Sequence, residues 1–148
     1  MTIFKPVAFV LATLLPATAM AEAIEVAKSP TCGCGSAWIE HMATAGHDMT
    51  TQDMPDDALH ALKATLGIPE ATMSCHTAQV QGYVIEGHVP AADVERLLSE
   101  RPDAVGLSVP GMIMGTPGMG PREGGDAFDV LLMNQDGTSK VFTSYPEG

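Results

Sequence analysis

A short alternating strand that runs straight into a glycine-spaced cysteine pair, and then into a helix, is the feature that most constrains this chain. Ile24 to Lys28 reads I-E-V-A-K, the period-two pattern of a half-buried strand. The turn Ser29-Pro30-Thr31-Cys32-Gly33-Cys34-Gly35-Ser36 follows. Ala37 to Ala45 then places Trp38, Ile39 and Met42 at helical spacing, and Gly46 stops the run. Thiols in such a turn sit at the positive end of the helix dipole, among free N–H groups, and both favour the thiolate.

The pattern continues along the chain. His47 to Met54 reads as a modest polar strand. Pro55-Asp56-Asp57 opens a second helix with Leu59, Leu62 and Leu66 on one face and Gly67 at its end. Pro69 to Ser74 is a loop, and Cys75 to Glu86 is a hairpin turning at Gln81-Gly82. Pro90 to Glu100 is a helix that buries Val94, Leu97 and Leu98, with Pro102 beyond it. Gly106 to Gly125 reads as a loop rich in Gly, Pro and Met. Phe128 to Met133 and Lys140 to Tyr145 form a last hairpin around Asp136-Gly137. The expected class is α/β: a thioredoxin-like β-α-β-α-β-β-α sandwich with an additional C-terminal β-hairpin. In folds of that kind the loop before the later hairpin lies against the cysteine turn. Cys75 falls in that loop, so it is expected to meet Cys32 and Cys34.

Residues 1–21 are set apart from this scheme. Lys5 is their only charge, Val7 to Leu15 is a short apolar run, and Ala19-Met20-Ala21 is a small-x-small cleavage site. That is the layout of a secretory signal peptide cleaved after Ala21. The apolar run is too short for a membrane span, which needs roughly 20 residues. The expected organisation is a leader over 1–21 and one domain over 22–148, in the periplasm, with no stable membrane insertion after cleavage. The whole chain carries 18 acidic and 7 basic residues, a formal net charge of −11. An acidic surface excludes nucleic acid as a partner, because phosphate binding needs clustered Lys and Arg. It suits the attraction of metal cations, and it suits solubility equally.

Three cysteines are present. An odd number leaves one thiol outside any internal disulfide, so a disulfide framework is a poor explanation. Cys32-Gly33-Cys34 can close on a single soft metal ion, because Gly33 lets the backbone fold tightly. Soft thiolates favour Cu(I), zinc and iron–sulfur clusters. Structural zinc usually wants four ligands at C-x₂₋₄-C spacing, and iron–sulfur clusters usually want four thiolates. Cu(I) accepts two or three soft ligands, so copper fits Cys32, Cys34 and Cys75 best, with zinc as the alternative. A thiol pair at a helix N-terminus also exchanges disulfides, which keeps a redox reading open.

His76 follows Cys75 directly and reads as a ligand, as a residue that lowers the thiol pKa, or as a hydrogen-bonding loop residue. His88 precedes a helix and suits a structural or capping role better than ligation. His41, His47 and His60 read as solvated positions. Met112, Met114 and Met119 lie in a Gly/Pro loop, where packing explains them less well than it does in a helix. Thioethers are soft ligands for Cu(I), so these three are candidates beside the thiols; a loop that only closes over the thiol site is the other reading.

The strings Thr31-Cys32-Gly33-Cys34 with Trp38, Ser74-Cys75-His76-Thr77-Ala78, Gly82-Tyr83-Val84-Ile85-Glu86-Gly87-His88-Val89-Pro90-Ala91, Pro110-Gly111-Met112 and Pro117-Gly118-Met119 together resemble the CopG-type family of periplasmic copper-binding proteins. The likeness spans essentially all of residues 22–148. It implies a thioredoxin-like fold, export, and copper held by Cys32, Cys34 and Cys75 in a resistance or homeostasis role. The family pattern has a further cysteine directly after the C-x-C pair, where this chain has Gly35. That puts a multinuclear cluster in doubt and leaves a three-thiolate Cu(I) site. A smaller departure is Ile113 in place of proline. The expected function is therefore a copper-binding protein of the periplasm that exchanges copper with other copper-handling proteins there. The alternative is a thiol–disulfide or copper oxidoreductase.

Overall fold

The computed structural model describes residues 23–148, so the expected leader lies outside the described residues. The order is β1 (Ile24–Lys28), α1 (Gly33–Thr44), β2 (Met49–Asp53), α2 (Asp56–Thr65), a single 3-10 turn (Glu70–Thr72), β3 (Thr77–Val80), β4 (Tyr83–Gly87), α3 (Ala91–Glu100), β5 (Gly106–Val109), β6 (Phe128–Met133) and β7 (Ser139–Tyr145). The seven strands form one sheet in the order β2-β1-β3-β4-β5-β6-β7. β1 runs parallel to β2 and antiparallel to β3. β4 is antiparallel to β3 and parallel to β5. The predicted mixed α/β class and the β-α-β-α-β-β-α order through α3 are both present.

β4 lies at the middle of this sheet and is buried along its whole length. Its residues therefore sort by face. Tyr83 and Ile85 join one core with Trp38 and Met42 of α1 and with Val94 and Leu97 of α3. Val84 faces the other way, onto Ile68 and Met133, and Glu86 meets Lys63 of α2 on that side. One face thus carries α1 and α3 and the other carries α2, which is the covering that a strand apolar on both faces requires. Trp38 also donates its indole N–H to the Val89 carbonyl at 2.8 Å, tying α1 to the segment that leads into α3.

Three sequence expectations are corrected. The helix expected from Ala37 begins at Gly33, because Cys32 takes the N-cap position and the glycine-rich turn enters the helix directly. The segment read as one long loop from Gly106 starts with β5, whose four residues are all buried. Its pairing with both β4 and β6 joins the expected additional C-terminal hairpin to the main sheet. On α2 the buried positions are Leu59 and Lys63, while Leu62 and Leu66 are half-buried. The hairpin is pinned to α3 by the buried Asp93 carboxylate, which accepts hydrogen bonds from the hydroxyls of Thr143 and, at 2.6 Å, Tyr145.

Candidate metal centre

α1 starts at the C-terminal end of β1, and that junction sets the first two thiols. Cys32 caps the helix and Cys34 lies in its first turn. One residue apart at a helix start, their sulfurs come within 3.5 Å. Cys75 arrives from the loop between the 3-10 turn and β3. Because β3 pairs with β1, that loop passes the start of α1. Cys75 Sγ lies 3.2 Å from Cys34 Sγ, across 41 residues of sequence. All three cysteines are free thiols and half-buried. Sulfurs at 3.2 and 3.5 Å are well outside a disulfide bond, about 2.05 Å. They are close to the edge of a trigonal site, since metal–sulfur bonds of about 2.3 Å place sulfurs about 4 Å apart. A small outward shift would admit a soft ion.

Two imidazoles complete a second group around Cys75. His76 Nδ1 lies 3.1 Å from Cys75 Sγ, and His88 Nε2 lies 3.4 Å from it. Ligand atoms of Cys75, His76 and His88 all fall within 4.8 Å of one another. His88 Nδ1 is 2.8 Å from the Pro117 carbonyl oxygen. A carbonyl only accepts, so Nδ1 carries the proton and the Nε2 lone pair of neutral His88 faces the sulfur. This is the arrangement by which a carbonyl orients a metal-ligating histidine. The sequence suits His88 to a structural role; its position beside Cys75 adds it to the candidates. The only sequence signal was its place in the Gly87-His88-Val89-Pro90 string, and spacing alone could not relate it to Cys75.

Both histidines are buried. His76 is edge-packed between Trp38, at 4.8 Å between ring centroids, and His88, at 5.0 Å. Burial pushes its pKa down to about 3, and the charges of His88 and Lys63 add to this. Burial also lowers His88, against the Pro117 carbonyl, which favours its charged form. Neutral imidazoles keep a lone pair for a metal. His76 Nε2 is buried without a hydrogen bond of good geometry, the Gly87 backbone opposes the lowering of the ring's pKa, and Nδ1 is the nitrogen that faces the Cys75 sulfur.

Met112 and Met114 are exposed, at 61% and 54%, and Met119 is half-buried. The loop that carries them crosses the start of α1. A Cβ on Gly118 would lie 2.8 Å from the Cys34 carbonyl oxygen, so the loop and the helix touch there. Met119 therefore sits next to the thiol turn, while Met112 and Met114 present their side chains to solvent. His41 is not a solvated position; its Nε2 accepts the Ala91 N–H at 3.2 Å and ties α1 to α3. Met42 and Met133 are buried packing residues, and Met49, Met54 and Met73 are half-buried.

Burial holds the Cys75 thiol well above its ordinary value of 9.0, and its Cys34 and Cys32 neighbours push the same way. Cys32 is also raised, by burial first, with Cys75 and the Gly35 backbone opposing. Burial thus outweighs the helix dipole that the sequence leads one to expect, and the metal-free fold favours protonated Cys32 and Cys75. That contribution is complete below the unfolded value and is lost as pH rises toward the folded values. The reduced, metal-free protein should lose denaturant stability from about pH 9 upward. Cys75→Ser should flatten that loss. Denaturation midpoints recorded without metal and without oxygen test this, and a midpoint that holds steady through about pH 10 would contradict it.

A family model described as "Protein of unknown function, DUF411" matches residues 72–119, the stretch that holds Cys75, His76, His88 and the methionine loop. Two solved structures are similar over most of the chain. One, "Copper resistance protein copG- Form 1", is 40% identical, with a TM-score of 0.79, and the match covers 86% of this chain and 99% of that one. The other, "Copper resistance protein copG- Form 2", is 41% identical, with a TM-score of 0.76 and 84% and 98% coverage. No curated protein matches the chain.

Proposed function

The chain belongs to the family of the copper resistance protein CopG, and on that premise we propose that it binds copper as Cu(I) in a periplasmic resistance or homeostasis role. The observation that carries this is Cys75 at 3.2 Å from Cys34. A thiol brought from a distant loop onto a thiol pair at a helix start is a converging site, and its donors are soft. In this reading Cys32, Cys34 and Cys75 hold the ion, and His76 or His88 supplies nitrogen. Met119, on the loop that meets the start of α1 at Gly118, is the thioether candidate beside the turn; Met112 and Met114 serve capture or exchange from solvent. Each thiolate bound displaces a proton that the metal-free site retains, so binding strengthens with rising pH. Copper exchange with other copper-handling proteins of the same compartment, and cleavage of the leader after Ala21, belong to the same proposal. Among the described residues no helix is long and apolar enough to cross a membrane.

Zinc is the competing cargo, because three thiolates and His88 also make a four-ligand set. An anaerobic titration of the reduced protein with Cu(I) against a competing chelator, repeated with excess zinc present, decides between them. Tight Cu(I) binding that zinc does not reduce supports the proposal. Displacement of Cu(I) by zinc would overturn it. The 3.2 Å approach of Cys34 and Cys75 also favours a second reading, a thiol–disulfide oxidoreductase whose two sulfurs pair on oxidation. Lack of turnover in a thiol-exchange assay of the reduced, metal-free protein would remove it.

Gly35 limits how much copper the site takes. A Cβ there would lie 2.9 Å from Cys32 Sγ and 3.3 Å from His76 Nδ1. A side chain at position 35 therefore points into the cluster, and glycine leaves that space to the Cys32 sulfur. Gly35→Cys should add a fourth thiol and raise the copper bound per chain above the parent's. Copper-to-protein ratios after removal of loosely bound metal read this directly, and an unchanged ratio would show that the added thiol stays outside the site.

A further inference from the structure

We propose that the buried Lys63–Glu86 ion pair is a positioning clasp for Cys75, a role that rests on the copper site above and extends it. Cys75 lies outside the strands and helices, so its place is set by its neighbours. Ser74, directly before it, has all of its polar groups engaged. Its N–H donates to Glu86 Oε1 at 2.6 Å. Its carbonyl accepts from Lys63 Nζ at 3.0 Å. Its hydroxyl donates to the Gly111 carbonyl, and the Gly111 N–H donates to the Met73 carbonyl at 3.1 Å. Ser74 is thereby fastened to α2, to β4 and to the start of the methionine loop.

The pair itself is almost entirely out of water, with Lys63 at 4% exposure and Glu86 at 0%. Lys63 Nζ contacts Glu86 Oε1 directly. Burying two charges costs about as much as their attraction returns, and apolar residues of similar size usually stabilise a fold equally well or better. Stability alone is therefore a weak reason for the pair. What an apolar pair cannot do is hold a backbone N–H and a backbone carbonyl of one residue at once. Lys63 and Glu86 do this at Ser74, one peptide bond from the thiol. With Ser74 held, the Cys75 sulfur is kept beside Cys34, His76 and His88; without it, the loop is free to carry the thiol away from the helix start.

The double variant Lys63→Met/Glu86→Met separates this role from simple stabilisation. It removes both charges together but frees the Ser74 N–H and carbonyl, so it should melt close to the parent's temperature and well above either single variant. In the metal-free, reduced protein, alkylation of Cys75 should speed up about tenfold relative to Cys32. Cu(I) affinity should fall about 10- to 100-fold, with a changed thiolate-to-copper ultraviolet absorption. An unchanged Cys75-to-Cys32 reactivity ratio overturns the clasp. A raised ratio with unchanged copper affinity and absorption overturns its role at the site. A parent that binds no Cu(I) removes the copper reading instead, and the alkylation ratio still judges the clasp. Should the double variant not fold, hydrogen exchange in the parent decides. The Ser74 amide should be as protected as the amides of β4, and exchange as fast as at the exposed edge strand β2 would overturn the proposal.

Discussion

Cys75→Ser is expected to weaken Cu(I) binding more than about 100-fold, beyond the 10- to 100-fold typical of losing a residue that only supports a ligand. The reason is positional. Cys32 and Cys34 belong to one helix start and would remain a local pair at 3.5 Å. Cys75 alone brings in the second segment of the chain, and it is the sulfur that both buried imidazoles approach. A serine hydroxyl has nearly the same shape, so the fold should persist, but oxygen is a poor ligand for Cu(I). The measurement is a competition titration of parent and variant without oxygen. Affinity retained within tenfold would mean that the C-x-C pair binds copper by itself. The convergence of the three thiols would then have no part in holding the ion.

Lys63→Met is expected to destabilise the metal-free protein by about 3–5 kcal/mol, the usual cost of breaking a buried pair from one side. Glu86 is fully buried, and the variant would leave its carboxylate without its cation. Burial already pushes the Glu86 carboxyl above its ordinary value, with Lys63 opposing that shift. Removing the lysine raises it further. A group raised in the folded state contributes most below its unfolded value and loses that contribution as pH rises through the folded value. The deficit of the variant should therefore be largest at neutral pH and should narrow in acid. Denaturant midpoints of parent and variant at several pH values test both the size and the sign. A deficit that is small, or that widens on acidification, would show that water reaches Glu86 and that the pair is not the closed contact described above. The contrast with the double methionine variant, which leaves no lone charge, is part of the same expectation.

Much of this protein was legible in the residue order. The I-E-V-A-K alternation, the Pro-started helices and the Asp136-Gly137 turn each report local conformation, because side-chain period and turn chemistry act within a few residues. They sufficed for the β-α-β-α-β-β-α order, the last hairpin and the pairing of a cysteine turn with a helix start. The motif strings led to the CopG family, and the structural likeness at 40% identity bears that out. The start of α1 was misplaced because Gly33 and Gly35 look like turn residues, while the capping position of Cys32 and the contact with the 118 loop commit them to the helix. β5 was hidden for a similar reason, since Gly106-Leu107-Ser108-Val109 is a strand only by virtue of partners on both sides. Likewise no local pattern marks Lys63 as a buried lysine, or His88 as anything but a residue before a helix. Lys63 is buried because Glu86 of β4 faces it, and His88 aims its lone pair at Cys75 because the Pro117 carbonyl holds its other nitrogen. Residue order alone was enough for the strands and helices other than β5, and for the donors that the chain owns. Which donors meet followed from folding in three dimensions, because register and loop closure are set by contacts between residues too far apart in sequence for any local period to relate them.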